Sequence, residues 1–149
     1  MENYIVLENI RSCYNVGNMI RTADALWRHV ILTWYTPSPR TQPKVKKTSL
    51  WAEESVTIHE FATTMEAIHF LKKETYTVIA AEVTDAAIAL DIYQQKKPPL
   101  VAIVVGNEVT WVEPDTLSVV DCVVKVPMIW KKESLNVGQT AAIFMRALQ

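Results

Sequence analysis

The chain has 149 residues, half of them hydrophobic and 21% charged, with three glycines and a formal net charge of −1. That length suits one domain burying roughly 70% of its unfolded surface, and the composition excludes a disordered or low-complexity protein. No run approaches the ~18 apolar residues of a spanning helix and Met1-Glu-Asn lacks a leader's basic and apolar regions, so a single cytoplasmic domain over 1–149, without membrane contact, is expected.

Tyr4–Leu7 is the first predicted strand and runs into the polar loop Glu8–Ser12. Val16, Ile20, Ala23 and Leu26/Trp27 then recur at helical spacing, with Asn15 before them as the cap. His29–Thr33 is a second strand, after which Pro37, Pro39 and Pro43 break any regular element. The segment holding Arg40, Lys44, Lys46 and Lys47 reads either as a solvated loop or as a basic loop touching phosphates. Val56–Ile58 suits a short strand, Thr64–Lys73 an amphipathic helix, and Tyr76–Ala81 a strand ending in the polar Glu82–Asp85. A short helix over Ala87–Tyr93 stops before Lys96-Lys97-Pro98-Pro99. Val101–Val105 is apolar without alternation, which requires cover on both faces, and it delivers Gly106-Asn107-Glu108. Cys122–Val126 repeats that pattern into Pro127-Met128, and Ser134-Leu135-Asn136 opens a terminal helix.

Strands alternating with helices predict a mainly parallel α/β sheet flanked by helices, because parallel neighbours need crossover connections. In such sheets ligands sit at the carboxyl ends of the strands, where the loops after Leu7, Ala81, Val105 and Val126 fall. Residues 1–50 carry seven Lys/Arg against three Asp/Glu, and 51–149 carry eight against thirteen. A basic local field permits an anionic partner such as RNA without identifying one. Two cysteines make no disulfide framework, Cys122 reads as core packing, and three scattered histidines fit no zinc spacing, so no metal is expected. The glycine-rich phosphate cradles and the Gly-x-Ser-x-Gly elbow are missing, which weighs against dehydrogenase, kinase and hydrolase chemistry.

Three ordered segments carry polar residues on separate loops: Asn15-Val-Gly17-Asn-Met-Ile-Arg21-Thr-Ala23; Val101 to Glu108 with Val126-Pro127-Met128; and Ser134-Leu135-Asn136-Val137 into an Ala-bearing helix. Together they resemble the motifs of the SpoU (TrmH-like) RNA ribose 2′-O-methyltransferases of the SPOUT superfamily. The resemblance implies an α/β domain with a C-terminal trefoil knot, an exception to the rule against threaded connections. It also implies S-adenosylmethionine as cofactor, RNA as substrate (tRNA first, rRNA next) and a homodimer that completes the site across its interface.

Carried over by motif, Arg21 matches the family's catalytic arginine and Asn15 its supporting asparagine, while Glu108, Ser134 and Asn136 match residues that shape the site. The cofactor is expected at Val83, Gly106, Val126, Met128, Ser134 and Leu135. Guanidinium keeps its proton in proteins, so Arg21 is read as a clamp on the hydroxyl or the adjacent phosphate and not as a base. Arg11, Arg28, Arg40, Lys44, Lys46, Lys47, Lys131 and Lys132 are candidate phosphate contacts. The chain departs from the family pattern at Trp27, Val109, Trp111, Trp130 and Gly138-Gln139, with bulk expected near the pocket. Those departures keep open a competing reading, a catalytically silent dimer that binds RNA or cofactor as a chaperone or scaffold.

Overall fold

The computed structural model describes residues 2–27, 29–129, 131 and 133–149; the candidates Arg28 and Lys132, and Trp130, lie outside the described residues. Among the described residues the elements run β1 (Tyr4–Leu7), α1 (Cys13–Leu26), β2 (His29–Thr33), α2 (Pro43–Ser49), β3 (Thr57–Phe61), α3 (Thr64–Lys73), β4 (Thr77–Ala81) and β5 (Ile88–Ala89). After them come α4 (Leu90–Tyr93), β6 (Val101–Val105), α5 (Pro114–Val119), β7 (Cys122–Lys125) and α6 (Val137–Ala147). The seven strands form one sheet in the order β3-β2-β1-β6-β4-β7-β5. Every pairing is parallel.

The central strands β1 and β6 are buried along their whole length, as apolar runs without alternation require. Alternate residues feed two cores. Ile5, Leu7, Ile103 and Val105 pack under α1 and α6 with Ile20, Phe144 and Met145. Tyr4, Val6, Ala102 and Val104 pack on the opposite face with Ala67, Ile68 and Leu71 of α3. Gly17 sets the approach of α1 to α2, since a Cβ there would lie 2.6 Å from Thr48 Cβ and 2.8 Å from Val45 O. The glycine of the first motif therefore serves packing.

Several predicted elements need correction. Pro43 starts a helix instead of breaking one: it stands in the first turn of α2, where a missing N–H costs nothing. Lys44, Lys46 and Lys47 thus lie on a helix and not on a loop. Pro114 starts α5 in the same way, an element the sequence reading did not assign. Ser12, and not Asn15, caps α1: its hydroxyl accepts from Asn15 N at 3.2 Å. The predicted helix over Ala87–Tyr93 is split into β5 and α4, because Ile88 and Ala89 pair with Val124 and Lys125.

Candidate active site

The loops after β4, β6 and β7 emerge at one edge of the sheet and, with residues 134–137, enclose a cavity of about 330 Å³. All six residues expected at the cofactor, Val83, Gly106, Val126, Met128, Ser134 and Leu135, line it, as do Glu108 and Asn136. The absence of a side chain at Gly106 is a requirement of the loop that follows. A Cβ at 106 would lie 2.2 Å from Val112 N and 2.3 Å from Trp111 C, because the chain folds back across it. Asn107, left without a role by the sequence reading, builds that fold: its Oδ1 accepts from Val109 N (2.7 Å) and Thr110 N (3.1 Å). Its Nδ2 donates to Asn9 O (2.6 Å) and Tyr35 OH (3.0 Å).

Glu108 joins this loop to the start of α1. Its carboxylate accepts from Arg11 N (3.0 Å), Ser12 N (3.2 Å) and Asn15 Nδ2 (3.0 Å). Partial burial is the largest single influence on its proton affinity and opposes ionisation. The N–H donors of Arg11, Asn15, Ser12 and its own backbone together outweigh it and hold the carboxyl below its ordinary value. Asn15 Oδ1 in turn accepts from Asn136 Nδ2 (3.3 Å), and Asn136 Oδ1 caps α6 through Gly138 N (2.9 Å). Asn136 is thus the cap of this helix. One continuous chain of hydrogen bonds therefore ties together three segments separated by up to 121 residues.

Arg21 stands apart. It projects from the exposed face of α1, does not line the cavity, and its side chain has no hydrogen bond or ion pair among the described residues. Of the candidate phosphate contacts, Arg11, Lys44, Lys46, Lys47 and Lys131 are exposed. Arg40 is exposed but engaged, with Glu60 Oε1 at 3.3 Å and Ile58 O at 3.4 Å. Trp27 does not crowd the pocket as expected: it is buried and donates from Nε1 to Met145 O at 2.8 Å, locking α1 to α6. Trp111 does line the cavity. Among the described residues, no group of three or more His, Cys, Asp or Glu could hold a metal ion, and no helix is long and apolar enough to cross a membrane.

An open parallel sheet with a ligand-sized cavity at its carboxyl edge defines an α/β protein whose cavity lies where such sheets hold their ligands. The model of the SpoU rRNA Methylase family matches residues 2–146, and the chain belongs to that family. It is 28% identical over 142 residues to a tRNA (guanosine(18)-2′-O)-methyltransferase of Thermus thermophilus, covering 95% of this chain and 71% of the relative. It is also 28% identical over 141 residues to a 23S rRNA (guanosine-2′-O-)-methyltransferase of Neisseria meningitidis, covering 95% of this chain and 55% of that protein. The fold matches an AdoMet-bound rRNA methyltransferase from Sinorhizobium meliloti with a TM-score of 0.87 at 23% identity, over 99% of this chain and 55% of that one. It also matches, again with a TM-score of 0.87 and at 20% identity, a structure from a study of 2-OH methylation of C/U34 on tRNA, over 99% of this chain and 93% of that one.

Proposed function

We propose that this chain is an S-adenosylmethionine-dependent methyltransferase acting on a ribose 2′-hydroxyl of structured RNA, with tRNA the first candidate and rRNA the second. The observation that carries this reading is the hydrogen-bond chain Glu108–Asn15–Asn136, which unites the three motif segments at the mouth of one cavity. Family membership and the names of the curated relatives support it. The cavity suits the cofactor: Val83, Val126, Met128 and Leu135 offer apolar walls to a flat base, and the carboxylates of Glu82 and Glu108 suit a cationic group. When bound, S-adenosylmethionine supplies the methyl group.

The chain's own residues have to orient the acceptor. Methyl transfer is an in-line displacement, so aligning the hydroxyl oxygen with the methyl carbon supplies much of the rate. Glu108 anchors the start of α1, the helix that carries Arg21, and so sets where Arg21 can reach. Arg21 clamps the hydroxyl oxygen or the adjacent phosphate with a guanidinium that donates and does not accept. Because Arg21 lies outside the cavity of its own protomer, we propose a homodimer in which two copies complete each site. We further propose a single catalytic domain over 1–149 in the cytoplasm. Its C-terminal segment would thread a trefoil knot, consistent with a sheet order that inserts β7 between β4 and β5.

Radiolabelled methyl transfer from S-adenosylmethionine into separate tRNA and rRNA pools, with Arg21→Ala as control, tests the proposal. Label in either pool that Arg21→Ala abolishes is the expected result. Cofactor binding with transfer into neither pool would favour the silent scaffold instead.

A further inference from the structure

We propose that Glu82 makes the cavity selective for the charge of its cofactor, clasping the two loops that wall it and favouring a sulfonium ligand over the neutral thioether that transfer leaves behind. This rests on the methyltransferase reading. Glu82 is the first residue beyond β4, and its backbone N–H donates to Val124 O of β7 at 3.1 Å. On the other side β4 pairs with β6 through Ala81 and Val105, so Glu82 stands beside Gly106. Its Oε1 accepts from Val83 N at 2.8 Å and its Oε2 from Val112 N at 3.1 Å. Val112 is the residue whose nitrogen crosses Gly106. One carboxylate thus pins the fold-back of the 106–112 loop to the 82–83 loop across the cavity wall.

The same carboxylate is electrostatically available. An ionised carboxylate accepts at about four lone-pair sites, and Glu82 uses two for these bonds. Glu82 and Glu108 both line the cavity, and among the described residues neither is ion-paired with a Lys or Arg side chain. The cavity's one lysine among the described residues, Lys125, instead turns its Nζ to Thr84 O at 3.2 Å. Two unpaired carboxylates in one partly enclosed cavity complement a cation, since their field is screened less there than in open water. During transfer the S–CH₃ bond breaks with its electron pair staying on sulfur, the O–CH₃ bond forms, and the hydroxyl proton leaves to water. The ligand therefore loses its positive charge at the moment it becomes product, and a cavity that prefers the cation releases it.

Calorimetric titration of the full chain with S-adenosylmethionine and with S-adenosylhomocysteine, without RNA, tests this. Glu82→Gln removes the charge and keeps an oxygen acceptor for one of the two backbone N–H groups, Val83 or Val112. It should lower the preference for the sulfonium ligand by about three- to tenfold, the sulfonium ligand weakening by that much more than the thioether. Glu82→Asp should restore the preference. Glu82→Ala should weaken both ligands, because Val83 and Val112 lose their acceptor. A preference unmoved by Glu82→Gln, with both ligands still binding, would overturn this inference alone. A wild-type chain that binds neither ligand would overturn the cofactor reading with it.

Discussion

Two glutamates on neighbouring strands do opposite work. Glu8 directly follows β1 and Glu108 follows the Gly-Asn after β6, and the strands end in register at Leu7 and Val105. Glu8 is 1% exposed and faces the core under α3 and α5. It accepts from Glu113 N at 2.9 Å and from the Thr116 hydroxyl at 2.5 Å, seating the start of α5 on the sheet. Burial pushes its carboxyl above the ordinary value, against the pull of Thr116, Glu113 N–H and Thr64. Glu108 is exposed at the edge and lies below the ordinary value because four donors converge on it. Access to water and the number of donors thus assign one residue type to the fold and the same type to the site.

The largest effect that would break this contrast is on activity. Glu108→Ala should lower the initial rate of methyl transfer by about a hundredfold, since it frees the start of the helix that positions Arg21. Its denaturant midpoint should fall by much less than that of Glu8→Ala, because water can replace the carboxylate at this exposed edge; an equal loss of stability would mean that Glu108 is a fold residue too. Arg21→Lys should retain little turnover if bidentate donation matters. Glu8→Ala should do the reverse, costing about 2–3 kcal/mol in urea unfolding by stranding buried donors. Glu8→Gln, which keeps an acceptor without a charge to bury, should cost about 1 kcal/mol or less.

Acid sharpens the contrast further, with opposite signs for the two groups. The folded value of Glu108 is depressed, so its contribution is present above the ordinary carboxyl value of 4.5 and is lost as pH falls through its folded value. The folded value of Glu8 is raised, so its ionisation penalty is present above that value and disappears below 4.5. In urea unfolding measured across this range, Glu108→Gln should flatten the acid loss of stability and Glu8→Gln should steepen it. Parallel curves for the two variants would refute the assignment.

The smallest effect concerns the loop between them. Trp111, on the segment joining Glu108 to Glu113, sits at φ 68°, and Trp51, far from either glutamate, at φ 73°. Left-handed backbone costs an L residue about 1–2 kcal/mol, and glycine takes it freely. Trp51 is 72% exposed and has little burial to lose. Trp51→Gly should therefore raise stability by about 0.5–1 kcal/mol in urea unfolding, the reverse of the usual result for deleting an aromatic. Trp111 is 44% exposed and lines the cavity, so Trp111→Gly should be closer to neutral.

The sheet was legible because β1, β4 and β6 are apolar runs, and runs that need cover on both faces belong to the middle of a parallel sheet. The candidate site was legible as motif residues, to the extent that those expected at a cofactor line one cavity. What the sequence hid was relational. Pro43 looked like a break because a proline reads the same whether it ends an element or occupies a first turn, and Pro114 went without a reading. The Pro-Asp pair at 114–115 was the available signal for α5. Glu8, Glu82 and Asn107 looked like ordinary polar loop residues. Their roles depend on partners up to 108 residues away, which no local pattern encodes.

The bond from Asn15 to Glu108 spans 93 residues and that from Asn15 to Asn136 spans 121. Contacts this distant in sequence form late, after the intervening chain has paid its loop-closure entropy. A nascent chain can thus lay down β1, α1 and β2 early, yet it has no working cavity until the segment from Ser134 through α6 has docked. Binding of the proposed cofactor then reports that this last segment has docked, and a chain truncated before α6 should be silent even with Arg21 and Glu108 in place.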